Sequence, residues 1–323
     1  MTMQSKILIM ALCVAALVVV LFVGSGSKTQ VTGGRETIEA AFNAEFTERA
    51  DGYRGLIETY GFEFTNKPGQ METGMMYKAC DNESVDVICG FATDGRIAAY
   101  DLTTLEDDKY FFPPYFAAPL VRQQTLDEHP RLKDALNKLA GRIDDSTMQE
   151  LNYEVDREDK TRRPADVARE FLLKEGLIDE GGKGSGNAGS VSVGSKDFTE
   201  QLILGEMMAL LIEHHTDLSV NRRMNLGGTM VCFNALRNGD LDLYAEYTGT
   251  GLVTILDREA MTDPEQTYDT VSEQFKQEWN LTWLEPFGFN NTYTLTMRSE
   301  QAERLGIRSI SDLAEYINDS EVE

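Results

Sequence analysis

The side chains that most often hold metals or carry catalysis form no recognisable set in this sequence. His214 and His215 are adjacent on a predicted helix, so their side chains point about 100° apart and cannot share a metal as an i, i+4 pair can. Ser195 and Lys196 are adjacent rather than three residues apart, and the sequence contains no nucleophile elbow, phosphate-binding loop or HExxH motif. These patterns predict a protein that is not an enzyme and that has no metal and no cofactor.

Cysteine chemistry beyond the N-terminal segment is limited to Cys80, Cys89 and Cys232. An odd number of cysteines gives no disulfide framework. Cys89 lies in the apolar stretch "VDVICGF", where a buried free thiol is expected. A bridge between Cys80 and Cys89 stays open as the alternative.

The charge of the chain is strongly negative. Its 54 acidic and 30 basic residues give a net charge of −24. Nucleic-acid binding favours a basic surface, so this composition argues against a nucleic-acid partner. The simplest interpretation is an acidic, well-solvated surface, and it identifies no substrate.

The N-terminal segment, residues 1–27, is hydrophobic. An uncharged run from Ile7 to Val23 follows Lys6 and precedes "GSGSK". Such a run is typical of a signal peptide, here cleaved near Ser25–Ser27, or of an uncleaved signal anchor. Both interpretations place the rest of the chain outside the cytoplasm, in the periplasm or at the cell surface.

The elements that must position any site alternate between strands and helices in the second part of the chain. Strand-like stretches begin at Val191, Ser219 and Leu241, and a helical stretch follows each of the first two. This alternation predicts an α/β fold with a parallel sheet. Residues 130–178 are predicted to be mostly helical, and a Gly/Ser-rich linker, residues 179–190, separates the two parts.

Seven short blocks give the chain a family resemblance. They are "EFTERADG", "ATDGRI", "DDKYFFPPY", "GSKDFTEQ", "NLGGT", "DLDLYAEYTGT" and "GFNNTY". Together they resemble the substrate-binding proteins of ABC importers for glycine betaine, choline and carnitine, over residues 36–178 and 191–318. The resemblance implies capture of a quaternary ammonium solute for osmoprotection, with an ABC permease in the membrane as partner. The alternatives are a membrane-tethered ligand sensor and an enzyme on the same two-lobed fold.

The order of these blocks is reversed relative to the resembled family. There "GSKDFTEQ" opens the domain and "EFTERADG" follows later. The sequence therefore predicts a circular permutant, in which residues 28–178 are the family's C-terminal half and residues 191–323 its N-terminal half. Domain termini are commonly exposed and close together, so a short linker can connect the original C-terminus to the original N-terminus. The alternative is a piece of two tandem binding domains.

The fold implied by the resemblance is a two-lobed, hinged α/β clamp of the type II periplasmic-binding-protein kind. One lobe is expected from residues 98–288, and the other from residues 35–95 and 291–323. The chain is expected to cross between the lobes at "GFATDGRI" and at "EPFGFNNTY".

The resemblance also implies a set of ligand-binding residues. A quaternary ammonium cannot donate a hydrogen bond and is held by aromatic faces, whereas a carboxylate needs donors. The expected rings are Tyr293, Tyr115, Tyr247 and Phe91, and the expected donors are Gln201, Asn291, Thr229 and Thr248. Tyr293 is expected to pack on one side only, so that its loss costs binding rather than stability.

Overall fold

The strands of this protein form two five-stranded sheets. The computed structural model describes residues 36–157, 159, 161–182 and 184–320. The predicted hydrophobic segment, residues 1–27, lies outside the described residues. In the described part, no helix is both long enough and apolar enough to cross a membrane.

The strands follow the chain as β1 to β10. In chain order they are Ala40–Phe42, Gly69–Gln70, Val87–Phe91, Leu102–Thr104, Ala117–Arg122, Ser190–Gly194, Ser219–Arg223, Leu243–Tyr247, Leu281–Trp283 and Tyr293–Arg298. The sheet of the first lobe has the order β2-β1-β3-β10-β4, and the sheet of the second lobe has the order β7-β6-β8-β5-β9. The predicted parallel pairing is confirmed, because β6 runs parallel to both β7 and β8.

Fourteen α-helices cover these sheets in the described part of the chain, numbered α1 to α14. In chain order they are Ala44–Glu48, Tyr53–Tyr60, Thr73–Asp81, Arg96–Ala99, Gln123–Glu128, Arg131–Leu136, Asp145–Asp156, Pro164–Lys174, Thr199–His215, Thr229–Asn238, Thr248–Thr250, Pro264–Trp279, Ser299–Leu305 and Ile310–Ser320. A 3₁₀ turn follows α6 at Asn137–Leu139, and a π-helical turn follows α11 at Gly251–Ile255. Residues 130–178 are thus mostly helical, as predicted.

Helix α9 forms the central layer of the second lobe. It is apolar around most of its circumference, which is typical of a helix buried on nearly all sides. Ile203, Leu204 and Leu211 are fully buried. The helix packs against α6, α7 and α8 and against the sheet. On the opposite face of the same sheet, Phe233, Phe275 and Trp283 anchor a second apolar cluster.

Each lobe takes strands from both sides of the 179–190 segment. The part of the chain before this segment supplies β1 to β4 to the first lobe and β5 to the second. The part after it supplies β6 to β9 to the second lobe and β10 to the first. Strand β10 lies between β3 and β4, so the first sheet is interrupted without it. Neither part therefore contains a complete sheet.

The chain crosses between the lobes at two neighbouring passages. One passage leads through Tyr115 and Phe116 into β5, and the other leads through Asn290 and Asn291 into β10. Phe116 and Asn290 form an antiparallel bridge, and the backbone N–H of Asn291 donates to the carbonyl of Tyr115 at 3.2 Å. This pair of strands forms the hinge, and the predicted passage at "EPFGFNNTY" is part of it.

The other predicted passage, "GFATDGRI", is wrong. After residues 92–96 the chain returns to the first lobe and adds β4, which pairs with β10. The turn at residues 92–96 packs instead against α7 of the second lobe, where the Gln149 side chain donates to the carbonyl of Ala92 at 2.7 Å. Contact with the other lobe is not a crossing, because β4 still belongs to the first sheet.

The Gly/Ser-rich segment, residues 179–190, is bound along the end of α9. The N–H of Gly184 donates to the carbonyl of Glu213 at 2.7 Å, and the N–H of Ala188 donates to the carbonyl of Asp217 at 2.8 Å. A Cβ at Gly184 would lie 1.7 Å from the carbonyl oxygen of Thr216, so only glycine fits there. The glycine at this position therefore allows the segment to pack closely against the end of α9.

The three cysteines in the described part of the chain are buried and free. Cys80, Cys89 and Cys232 form no disulfide. Burial raises the pKa of the Cys89 and Cys232 thiols to about 12, so both stay protonated at neutral pH. The predicted free thiol at Cys89 is confirmed, and the alternative bridge to Cys80 is not formed.

Candidate functional site

A cleft of about 1020 Å³ lies between the two lobes. The first lobe lines it with residues 43–45, 49, 70–75, 91, 93, 94 and 96, and the second with residues 152, 156, 196–200, 202, 228–231, 247 and 250. Tyr115, Asn291 and Tyr293 line it from the hinge. The cleft is thus lined by the ends of strands and the first residues of helices from both lobes.

A row of aromatic rings crosses the cleft. Phe91, at the end of β3, stacks on Phe198, just before α9, with ring centres 6.4 Å apart and planes 7° apart. Phe198 in turn lies 6.3 Å from Tyr247, at the end of β8. Phe91 lies 5.2 Å from Tyr293, the first residue of β10. The structure thus brings three predicted rings together with Phe198, which was not predicted.

Tyr293 is more deeply packed than the sequence predicts. Its side chain is only 5% exposed, and the rings of Phe46, Phe91, Phe112 and Tyr115 surround it at 5.1 to 6.3 Å. The expectation that Tyr293 packs on one side only is therefore wrong. Tyr293 begins β10 at the hinge, and its ring packs among rings of the first lobe and against Tyr115 of the hinge.

Arg49 lies over two of the predicted rings. The guanidinium carbon is 5.8 Å from the ring centre of Tyr115 and 5.6 Å from that of Tyr293. Arg49 also donates two hydrogen bonds to Asp51, at 2.7 and 2.6 Å, and the Tyr115 hydroxyl donates to the same carboxylate. A cation of the protein thus already covers these ring faces, and it is itself neutralised by Asp51.

Lys196 is the second buried cation of the cleft. Its Nζ lies 2.6 Å from Glu246 Oε1 and 5.2 Å from the ring centre of Tyr247. It also donates to Thr229 Oγ1 at 3.0 Å, and the Thr229 hydroxyl donates to Glu45 of the first lobe at 3.2 Å. Thr229, a predicted donor, therefore lies in the cleft and joins the two lobes.

Glu200, the second residue of α9, is a buried acceptor at the bottom of the cleft. One oxygen accepts from the Tyr247 hydroxyl at 2.7 Å and from the Asn291 amide at 2.9 Å. The other accepts from the Thr93 hydroxyl at 2.5 Å and from the Asn152 amide at 3.1 Å. Burial raises the pKa of Glu200, whereas these four bonds favour its charged form. The predicted donor Asn291 thus serves a carboxylate of the protein.

Two predicted donors lie away from the cleft wall. Gln201 is fully buried behind the strand ends, where it accepts from the N–H of Lys196 and donates to the carbonyl of Ala245. Thr248 donates to the carbonyl of Pro114 and accepts from the N–H of Phe116, so it fastens the hinge. The side-chain groups of both residues are already used within the protein.

The cleft-lining residues that sequence reasoning missed include Arg49, Lys196, Phe198 and Glu200. The signal was present, because Arg49 belongs to "EFTERADG" and the other three to "GSKDFTEQ". A block that ends a strand and begins a helix presents several consecutive residues to the same cleft. The choice among those residues depends on side-chain direction, which the block does not fix.

The cleft offers two kinds of contact to a ligand. The half-buried faces of Phe91 and Phe198 offer apolar contact and cation–π attraction to a ligand. Among the described residues, no lysine or arginine lies over either ring. Lys196 and Arg49 offer positive charge for an anionic group. Within the described residues, no group of three or more His, Cys, Asp or Glu side chains could hold a metal ion.

The family model described as the substrate-binding domain of ABC-type glycine betaine transport systems matches residues 27–174 and 189–323. The chain belongs to this family. Its two matched segments are separated by the Gly/Ser-rich stretch. The family comprises extracytoplasmic substrate-binding proteins of transporters. The observed fold, with two sheets, a paired hinge and a cleft between the lobes, is of the periplasmic-binding-protein kind.

Curated relatives match over less than half of their own length. The carnitine transport binding protein OpuCC of Listeria monocytogenes is 43% identical over 137 residues, which are 42% of this chain and 44% of the relative. The glycine-betaine-binding protein of Pseudomonas aeruginosa is 40% identical over 149 residues, 46% and 47% of the two chains. A crystal structure of a glycine betaine/carnitine/choline ABC transporter is 42% identical over 44% of this chain and 51% of its own, with a TM-score of 0.36.

The burial of Tyr293 has a measurable consequence for stability. Tyr293→Ala is expected to lower the free energy of unfolding by about 3–5 kcal/mol, because it removes a ring packed on several sides. Tyr293→Phe keeps the ring and is expected to cost at most about 1.5 kcal/mol. Urea unfolding of both variants checks this. Tyr110→Ala is the control, since Tyr110 is 76% exposed. A Tyr293→Ala variant as stable as the wild type would show that the Tyr293 ring is not part of the core.

Proposed function

We propose that this protein captures a zwitterionic quaternary ammonium solute of the glycine betaine or carnitine type and delivers it to the membrane permease of an ABC importer. The observation that carries the proposal is the neighbourhood of aromatic faces and two buried cations in one cleft. Phe91 and Phe198 suit a methylated ammonium, and Lys196 and Arg49 suit a carboxylate. The family membership and the names of the relatives support the same ligand class.

The two cations favour a ligand with a carboxylate over one without. Lys196 and Arg49 each have a carboxylate partner in the protein, and both line the cleft. A bound carboxylate would add charge-assisted hydrogen bonds to these cations. Choline carries the methylated head but no carboxylate, so it would lack the hydrogen bonds to these two cations.

The ligand class is tested by thermal unfolding with a panel of solutes. Glycine betaine and carnitine are expected to raise the Tm by about 5 °C at a hundredfold excess over Kd, since a ligand that binds only the folded state stabilises it. Choline is expected to raise it less, because it lacks the carboxylate. Dimethylglycine is expected to raise it less than glycine betaine, because its smaller head contacts the rings less fully.

Sugars and unmethylated amino acids serve as controls in the same panel. A shift with one of these and none with any methylated ammonium at millimolar concentration would contradict the proposed ligand class. Incubation with each ligand, followed by analysis of the products, separates binding from turnover. Unchanged ligand is expected, because we propose a binding protein rather than an enzyme.

We also propose that the chain is a circular permutant of its family. Two observations support an exchanged order of the two halves. The family matches on both sides of residues 179–190, and single alignments with curated relatives cover less than half of either chain. A collinear alignment can pair only one of two exchanged halves at a time. The interleaving of both parts in each lobe is what one complete, permuted domain requires.

The remaining element of the proposal is location. The uncharged run from Ile7 to Val23 supports export of the chain and attachment at the outer face of the membrane. Fractionation of cells that express the full chain tests this. Recovery of the protein in the membrane fraction, released by detergent but not by salt, is the expected result. Recovery as a shorter soluble form would indicate a cleaved signal peptide.

A further inference from the structure

Glu200 differs from the other buried charges of the cleft. Arg49 pairs with Asp51, Lys196 pairs with Glu246, and Arg96 pairs with Asp94. Among residues 36–157, 159, 161–182 and 184–320, no lysine, arginine or histidine forms an ion pair with Glu200. Its side chain is nevertheless only 2% exposed and lines the cleft. The cleft therefore holds one buried carboxylate whose counter-charge the described residues do not supply.

The hydrogen bonds of Glu200 are complete even though its charge is not compensated. Each carboxylate oxygen accepts two bonds, one from a hydroxyl and one from an amide. All four donors are neutral. A carboxylate in this state offers negative charge to a ligand but little capacity to accept further hydrogen bonds.

The position of Glu200 connects it to the aromatic rings. Tyr247 is both a ring of the cleft and a donor to Glu200. The donors Thr93 and Asn291 each lie two residues from a ring, Phe91 and Tyr293 respectively. Glu200 itself follows Phe198 by two residues. The carboxylate thus lies where the four ring-bearing segments converge.

We infer that Glu200 is the counter-charge for the ligand's quaternary ammonium group and that it selects this group over a primary amine. This inference rests on the proposed function and names a specificity-determining residue for it. A quaternary ammonium needs an opposite charge but has no N–H to satisfy. A primary ammonium would lose hydrogen bonds to water and would find few free acceptors at Glu200, which disfavours its burial.

The charged state of Glu200 follows from the geometry of its surroundings. Burial favours the neutral acid, but all four partners donate to the carboxylate, and the amide N–H groups of Asn291 and Asn152 cannot accept a hydrogen bond from a protonated acid. Glu200 also lies in the first turn of the 17-residue helix α9, where the helix dipole favours negative charge. The approach of a ligand cation favours the carboxylate further.

The test compares glycine betaine with 3,3-dimethylbutanoate, which has the same shape but a carbon atom in place of the ammonium nitrogen. Calorimetric titration gives both Kd values for the wild type and for Glu200→Gln. The wild type is expected to prefer glycine betaine over this isostere, whose tert-butyl head carries no charge. In Glu200→Gln this preference is expected to fall about tenfold, because the variant keeps the shape and loses the charge. Glu206→Gln, on the same helix but outside the cleft, is the matched control and is expected to keep the wild-type preference.

Two further variants keep the test decisive. Glu200→Asp retains the charge and is expected to retain most of the preference, so it separates charge from shape. If Glu200→Gln does not fold, equal affinity of the wild type for both compounds would still overturn the inference. A Glu200→Gln variant with the wild-type preference would overturn it as well. Absence of any binding of glycine betaine to the wild type would instead contradict the proposed ligand class.

Discussion

Residues 28–178 and residues 191–323, expressed as separate fragments, are expected to show no cooperative unfolding transition. The first fragment lacks β10, which lies between β3 and β4 in the first sheet. The second fragment lacks β5, which lies between β8 and β9 in the second sheet. Each fragment would therefore expose unpaired strand edges and the apolar residues that those strands bury. Thermal unfolding followed by circular dichroism measures this.

The intact chain from residue 28 onward is the control and is expected to unfold in one transition. Mixing the two fragments is expected to restore part of the native signal, because together they supply every strand of both sheets. A sharp transition in each isolated fragment would contradict the interpretation of the chain as one interleaved domain. That outcome would favour two domains, each of which folds on its own.

Lys196→Met is expected to lower the free energy of unfolding by about 3–5 kcal/mol, because it leaves the Glu246 carboxylate buried without its cation. The two side chains are 5% and 0% exposed, and their charged atoms lie 2.6 Å apart. The Tyr244 hydroxyl and the N–H of Tyr247 also donate to Glu246, but they cannot replace the positive charge. Urea unfolding of the variant, without ligand, measures the effect.

Two companion variants show whether the loss comes from the uncompensated charge. Lys196→Met combined with Glu246→Gln removes both charges and is expected to recover much of the lost stability. Arg222→Met removes a more exposed arginine that pairs with Glu206 and Glu213, and is expected to cost at most about 1 kcal/mol. A single Lys196→Met variant as stable as the wild type would show that water or local rearrangement compensates Glu246.

Local sequence patterns predicted part of the fold correctly. The strand–helix alternation after residue 190 was sufficient for the parallel pairing of β6 with β7 and β8. Strand β5 gave no comparable signal, because it contains Pro119, which has no backbone N–H to donate to a neighbouring strand. Pro119 is accommodated because its carbonyl still accepts from the N–H of Leu284.

The candidate site was predicted at the level of sequence blocks rather than of individual side chains. Tyr115, Tyr247, Tyr293 and Phe91 all line the cleft, and so do Asn291 and Thr229. Gln201 belongs to a correct block but turns behind the strand ends. Neighbouring residues on a helix point in different directions. Glu200 therefore lines the cleft and Gln201 does not, although both belong to "GSKDFTEQ".

The sequence by itself determined the α/β class, the family and the segments that surround the cleft, because periodicity and distinctive blocks are local properties of the chain. Only the tertiary structure decided where the chain crosses between the lobes, since that depends on β10 pairing with both β3 and β4 across about 200 residues. It also decided which charges are compensated. Arg49, Lys196 and Glu200 have similar burial, but whether a counter-charge lies nearby is a matter of distance in space.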